Sequence, residues 1–289
     1  MKYFNNKPIR LIELFAGIGS QAKALKNIGA NFEHWRVCEF DNHAINSYNA
    51  VHGTNFVTSD ITKISADDLG ITDTAHYTYL LTYSFPCQDL SNAGKGAGME
   101  KGSGTRSGLL WEVERLLNEC TELPQVLLME NVPQVHGKKN IEHFEKWIEF
   151  LKSKGYSNYW QDLNAKNYGI PQNRNRCFMV SILGDYSFEF PDPIPLTLTL
   201  KDMLEEDVDE KYYLGDVKNY FIKHSFDSEA KGNGFRFSPH VLKNAKVAKT
   251  ITTHAGCRMD DNFIIDIDSE QSLFKFDSTN TELVIEKEV

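Results

Sequence analysis

Over the first 185 residues, short apolar runs alternate with segments of helical periodicity, and that alternation leaves few folds open. Residues 9–14 (IRLIEL) read as a buried strand, followed by a glycine turn and a helix over 21–28. Residues 34–39 predict a second strand and 41–51 a second helix. Residues 79–82 form a short strand, and 108–120 carry Leu109, Leu110, Val113, Leu116 and Leu117 on one helical face. Residues 126–130 (VLLME) are a central strand. Residues 141–154 are an amphipathic helix ended by Gly155. Residues 157–163 and 176–182 are two more strands. The pattern predicts an α/β fold with a mostly parallel sheet covered on both faces. Ligands of such sheets bind outside the carboxyl ends of the strands. At residues 191–195 (PDPIP) the texture breaks; a short acidic helix over 201–210 and a polar remainder follow. We therefore read residues 1–190 as one domain and 191–289 as a second, smaller one.

Phe15-Ala16-Gly17-Ile18-Gly19-Ser20 joins the first strand to the first helix. Glycines there let the backbone approach a ligand at the positive end of a helix. Glu39 ends the second strand, where a carboxylate can accept hydrogen bonds from ribose hydroxyls. Asp60 follows a short strand read over 56–58 and can accept from an adenine amino group. Taken singly these are a tight turn, an exposed Glu and a turn Asp. Together they indicate a nucleoside site, equally suited to a dinucleotide, although nothing downstream supplies redox chemistry.

The reacting groups lie further along. Cys87, in Ser84-Phe85-Pro86-Cys87-Gln88-Asp89-Leu90-Ser91, follows the strand 79–82, at the end where chemistry is done. Most single cysteines are small buried hydrophobes, so position alone does not decide its role. Gly94, Gly96, Gly98, Gly102, Gly104 and Gly108 follow, which predicts a loosely packed, mobile loop able to act as a lid. Glu130, at the end of the central strand, is placed beside the Cys87 loop, and a partly buried Glu can serve as a general acid. Arg174 and Arg176 stand at i, i+2 on a segment read as extended, so they point the same way and suit carbonyl or phosphate recognition.

Five widely spaced cysteines without a CxxC motif argue against a disulfide framework or a zinc site. No apolar run reaches the roughly 18–20 residues of a membrane span, and the N-terminus lacks a signal-peptide pattern. We expect a cytoplasmic protein that needs neither membrane nor metal. The net charge of −9 argues mildly against nucleic acid. Lys231, Arg236, Lys243, Lys246, Lys249 and Arg258 offset it locally, with no Asp or Glu across 231–258.

The ordered set LFAGIGS, CEFD, SDI, SFPCQDLS, RSGLLWE, MENV and QNRNRCF resembles the C5-cytosine methyltransferase family, restriction-modification type, across about residues 9–185. The combination of FPCQ, ENV and QxRxR is specific; Ser20 departs from the family's usual glycine. The resemblance implies a Rossmann-like domain that binds S-adenosylmethionine (AdoMet), with S-adenosylhomocysteine as product, and a smaller target-recognition domain. By that resemblance Phe15, Gly17 and Gly19 line the AdoMet pocket and Glu39 holds the ribose. Asp60 binds the adenine amino group, Phe40 and Ile61 flank the ring, and Leu109 touches the cofactor. Cys87 attacks carbon 6 of a cytosine flipped out of double-stranded DNA. Glu130 hydrogen-bonds the ring nitrogen and amine, Arg176 binds the carbonyl oxygen, and Arg174 supports the arrangement. Gln88, Ser91, Arg106, Thr252, Thr253 and Arg258 are the expected DNA contacts, in a bacterial or phage-encoded, nucleoid-associated enzyme.

Family members continue with an RxLTxRE-type motif and a GNS-containing helix, whereas an acidic, polar stretch follows Asp266 here. This predicts a partial recognition domain and a second small chain that carries the remaining motifs, with truncation as the other explanation. The competing readings are a tRNA cytosine-5 methyltransferase, a non-catalytic DNA-binding subunit and a plain nucleotide-binding protein. Cys87, Glu130 and Arg176 argue against the last two.

Overall fold

The structure, a computed structural model, describes residues 7–90, 98–206, 208–213, 215, 217–232, 240–241, 245–251 and 262–265. In chain order the regular elements are β1 (Ile9–Leu14), α1 (Ser20–Asn27), β2 (Phe32–Cys38), α2 (Asn42–His52), α3 (Ala66–Leu69) and β3 (Thr78–Tyr83). Then come α4 (Leu110–Glu119), β4 (Val126–Asn131), α5 (Ile141–Ser153), β5 (Tyr156–Asn164), β6 (Gln172–Asn173) and β7 (Asn175–Leu183). The last are α6 (Val217–Ala230), β8 (His240–Val241), β9 (Ala248–Lys249) and β10 (Ile264–Ile265). The chain divides into two compact units, Met1–Leu163 with Asn175–Pro191, and Asn164–Arg174 with Asp192–Val289. Among the described residues no helix is long and apolar enough to cross a membrane.

The first unit is built on a sheet ordered β2-β1-β3-β4-β7-β5. β1 pairs parallel with β2 and β3, and β3 pairs parallel with β4. β7 runs antiparallel to β4, with Glu130 opposite Phe178 and Asn131 opposite Cys177. Alternation along each strand sorts side chains between two faces. Leu14, Tyr83, Met129 and Met179 form one cross-strand row; Ile12, Leu81, Leu127 and Ser181 form the next. These rows meet the apolar stripes of α4 (Leu110, Val113, Leu116, Leu117) and α5 (Phe144, Trp147, Leu151) in one core. Each such large side chain, once buried, contributes roughly 1.5–3 kcal/mol. Trp147 also donates its ring N–H to the Tyr83 hydroxyl, 3.1 Å away, so both groups are paired inside the core. A smaller cluster of Ala16, Ile45 and Tyr48 packs with Val37 and Phe56.

Two readings of the sequence change here. Residues 56–58 form no ladder strand, because Asn49 satisfies both backbone groups of Phe56 and Ser59 donates to the Glu39 carbonyl. Among the described residues, the acidic stretch over 201–210 yields only the 3₁₀ turns Lys201–Met203 and Glu210–Tyr212. It has no apolar face to bury, and Met203 is largely exposed. Within the described part of the glycine-rich loop, residues 98–108, Met99 is fully buried and its carbonyl accepts the Trp111 ring N–H at 2.8 Å, while residues 100–104 are exposed. Thr105 donates its hydroxyl to the Gly98 carbonyl.

In the second unit, β6 pairs with β9 and β8 with β10, each pair parallel and two-stranded. Phe221 and Ile222 of α6 are buried, as are Ala245 and Ala248.

Candidate functional site

The turn after β1 is shaped by backbone conformation. Phe15 takes φ 57°, a left-handed geometry costly for any residue with a Cβ, and Gly17 and Gly19 follow at 56° and 80°. At Gly19 a Cβ would come within 2.3 Å of His52 and 2.6 Å of Tyr48, so glycine is required by contact as well as by φ. Gly17 meets nothing within 4 Å. Glu39, just past the end of β2, fixes this turn: its two carboxylate oxygens accept from the Gly17 and Asp41 N–H groups, each at 2.8 Å. Asp41 then caps α2 through the His43 and Ala44 amides.

Beneath the turn lies a buried polar chain that the sequence reading did not single out. Glu13, wholly buried, accepts from the Ala22 amide at 3.3 Å and from the Tyr48 hydroxyl at 2.5 Å. The Tyr48 oxygen in turn lies 2.6 Å from His34 Nδ1. Burial pushes the Glu13 carboxyl up, against the lowering effect of its two hydrogen bonds. Its only sequence mark is a charged residue within an apolar strand.

Phe40, 77% exposed, stands beside Glu39, with Ile18 and Val57 also open to solvent. Asp60 closes an Asx turn on the Thr62 N–H and hydroxyl at 3.0 and 2.8 Å, and faces Lys63 at 3.6 Å. Ile61 is buried in the main core, and Leu109 packs half-buried against it. Exposed apolar groups next to a carboxylate and an uncrowded glycine suit an aromatic base on a ribose, so these residues fit an adenosyl group.

The loop that carries Cys87 follows β3 and is held from three directions. Gln21 of α1 donates to the Ser84 hydroxyl at 3.1 Å. Asn131 of β4 donates to the Phe85 carbonyl at 2.9 Å. Ser107 donates to the Pro86 carbonyl at 2.7 Å. Asp89 accepts from the Arg106 and Ser107 amides, and the Arg106 guanidinium donates to Gln88 at 2.5 Å. Cys87 itself is a free, half-buried thiol. The anchors Asn131, Ser107 and Asp89 were not separate candidates in the sequence, although all three stand inside quoted motifs.

Glu130 and Arg176 meet across the antiparallel β4–β7 pair, with Arg176 Nε 3.1 Å from a Glu130 carboxylate oxygen. Both side chains are largely shielded from water. Arg174 does not share their strand. β6 ends at Asn173, the Arg174 N–H turns back to the Gln172 carbonyl at 2.9 Å, and Arg174 belongs to the second unit. The i, i+2 pair is therefore not on one extended segment. Ser91, Thr252, Thr253 and Arg258, with Arg236 and Lys243, lie outside the described residues.

A Rossmann-like α/β sheet with a glycine turn, Glu39 and the clamped Cys87 loop at its carboxyl edge is the arrangement of a nucleoside-cofactor enzyme. Comparison with known proteins gives the family. The model of the C-5 cytosine-specific DNA methylases matches residues 9–285. The chain is 36% identical over 254 residues to the Type II methyltransferase M2.ScrFI of Lactococcus lactis subsp. cremoris, a match covering 71% of this chain and 70% of that one. It is 35% identical over 268 residues to the orphan methyltransferase M.SssI of Spiroplasma monobiae, with 74% and 69% covered. The solved S. pombe Dnmt2 methyltransferase shares the fold, with a TM-score of 0.69 at 21% identity, over 92% of this chain and 78% of that one. The chain belongs to the C-5 cytosine-specific DNA methylase family. It is a DNA (cytosine-5-)-methyltransferase, and its methyl donor is S-adenosylmethionine.

Proposed function

We propose that this chain methylates carbon 5 of a cytosine turned out of duplex DNA, with Cys87 as the nucleophile. The observation that carries the reading is the clamped Cys87 loop, bonded through Asn131 to the strand whose adjacent Glu130 pairs with Arg176. Carbon 5 of cytosine is a poor nucleophile. The Cys87 thiolate forms a bond to carbon 6, and the displaced ring electrons make carbon 5 an enamine carbon. AdoMet, when bound, supplies the methyl group to that carbon. Departure of the carbon 5 proton restores the double bond and expels the Cys87 thiolate. Glu130 meets the ring nitrogen and exocyclic amine, and Arg176 meets the carbonyl oxygen, which stabilises the charge that develops on the ring. Their ion pair keeps both groups oriented before the base arrives. A stacked base cannot reach Cys87, so flipping precedes chemistry.

On the cofactor side, Glu39 takes the ribose hydroxyls while its amide bonds hold the glycine turn. Phe40 covers the base, and Asp60 offers a carboxylate oxygen to the adenine amino group. Phe15, Gly17, Gly19, Ile61 and Leu109 complete the lining. Gln88 and Arg106, joined to each other, are set to follow the DNA as it enters.

The test is transfer of labelled methyl from AdoMet to mixed-sequence duplex DNA by the purified chain, with transfer RNA as a parallel substrate. Label at cytosine carbon 5 of DNA is expected. Cys87→Ala should lower transfer at least about a thousandfold and leave AdoMet binding intact. Transfer that survives Cys87→Ala would sink the mechanism, and label confined to RNA would sink the substrate. AdoMet binding without transfer would point to the second small chain, to be sought by adding a polypeptide that carries the GNS-type helix.

A further inference from the structure

His136, Asp162 and Cys177 converge on the α5 face of the sheet, next to the anchor Asn131, and the methyl-transfer reading gives none of the three a role. His136 ends the 3₁₀ turn Pro133–His136 after β4, Asp162 lies on β5, and Cys177 lies on β7. All three belong to the first unit. One donor atom from each lies within 4.8 Å of the other two. His136 Nε2 is 2.9 Å from an Asp162 carboxylate oxygen. The imidazole is fixed by its ring contact with Trp160, at 4.6 Å between centroids, and by Phe144 behind it. Cys177 is held in register opposite Asn131 and is fully buried.

Contrary to the expectation drawn from cysteine spacing, we propose that His136, Asp162 and Cys177 form a mixed-donor binding site for a thiophilic divalent cation of the zinc type, with a fourth position open to water. The donor set of one sulfur, one imidazole nitrogen and one carboxylate oxygen belongs to borderline-soft metals and does not suit magnesium or calcium. Ligands about 2.0–2.3 Å from a zinc ion stand roughly 3.3–3.8 Å apart at tetrahedral angles, so small side-chain rotations close the site. The His136 and Asp162 side chains are 22% and 31% exposed, which gives the ion an entry path and room for a water ligand. Burial pushes the Cys177 thiol up to about 12, so a cation must displace a proton to bind. An ion here would tie the β4 turn to β5 and β7 and stiffen the ladder that carries Glu130.

Cobalt(II) serves as the probe, titrated into the metal-free, reduced full-length chain. One equivalent should give a thiolate-to-cobalt charge-transfer band, and zinc should displace it. Cys177→Ser should remove the band. Asp162→Asn and His136→Gln, at partly exposed positions, should each weaken binding at least about tenfold, with circular dichroism unchanged. Cys87→Ser and Cys120→Ser should keep the band. No band in the unaltered chain, a band that survives Cys177→Ser, or full affinity in both other variants would overturn the assignment.

Discussion

Gly19 and Glu13 show how single residues hold the cofactor turn. Gly19→Ala places a methyl group against His52 and Tyr48 at a φ of 80°, so about 1–3 kcal/mol of stability should be lost. Urea unfolding measures this, and AdoMet affinity should fall in parallel. Glu13 has its carboxyl raised by burial above the ordinary value of 4.5. A raised carboxyl favours the folded state below the ordinary value and loses that contribution as pH rises through the native one. The stability of the native chain relative to Glu13→Gln should therefore be greatest below pH 4.5 and shrink as pH rises. Unfolding curves at a series of pH values test the sign. The glycine turn was legible in the sequence because a left-handed backbone selects for residue type. The Glu13–Tyr48–His34 chain was not, because its members come together only once α2 packs against β1.

Among the elements, β4 links the two halves of the reacting site. Asn131 faces one side of the sheet and holds the Phe85 carbonyl, while Glu130 faces the other and meets Arg176. Asn131→Ala leaves a buried carbonyl unpaired, so stability should fall by about 1–3 kcal/mol and kcat should drop more than KM changes. Chemical denaturation and steady-state kinetics read the two effects. The strand over 9–14 coincides with the observed β1, and the helix over 141–154 differs from α5 by a single terminal residue. Their long apolar patterns match what they bury. The strand read over 56–58 failed for a different reason. Its apolar residues fit a strand, but a side chain, Asn49, took the hydrogen bonds that a ladder needs. Local patterns carry no information about which distant group satisfies a backbone amide. The short parallel pair of β6 and β9 was invisible for the same reason.

At the scale of the whole molecule, charge sets how DNA is met. A net charge of −9 gives no long-range attraction to phosphate, so binding must rest on a few local cations. Lys246, exposed between the buried Ala245 and Ala248, is one of them by the basic-run reading. Lys246→Ala should make the slope of log affinity against log salt shallower by about 0.9, nearly alike for every sequence. Fluorescence anisotropy over a salt series checks it.

The reversed direction of β7 has a consequence for how the reacting edge behaves under thermal motion. A sheet of parallel strands offers at one edge only residues that come after a strand. One reversed strand adds residues at a strand's beginning, so Arg176, two residues before Glu130's ladder partner Phe178, reaches Glu130 diagonally across the β4–β7 pair. The pair shares the stiffness of the sheet, and separating its backbones means breaking the β4–β7 hydrogen bonds. Positional precision at this carboxylate therefore comes from the scaffold itself and does not wait for a loop to close.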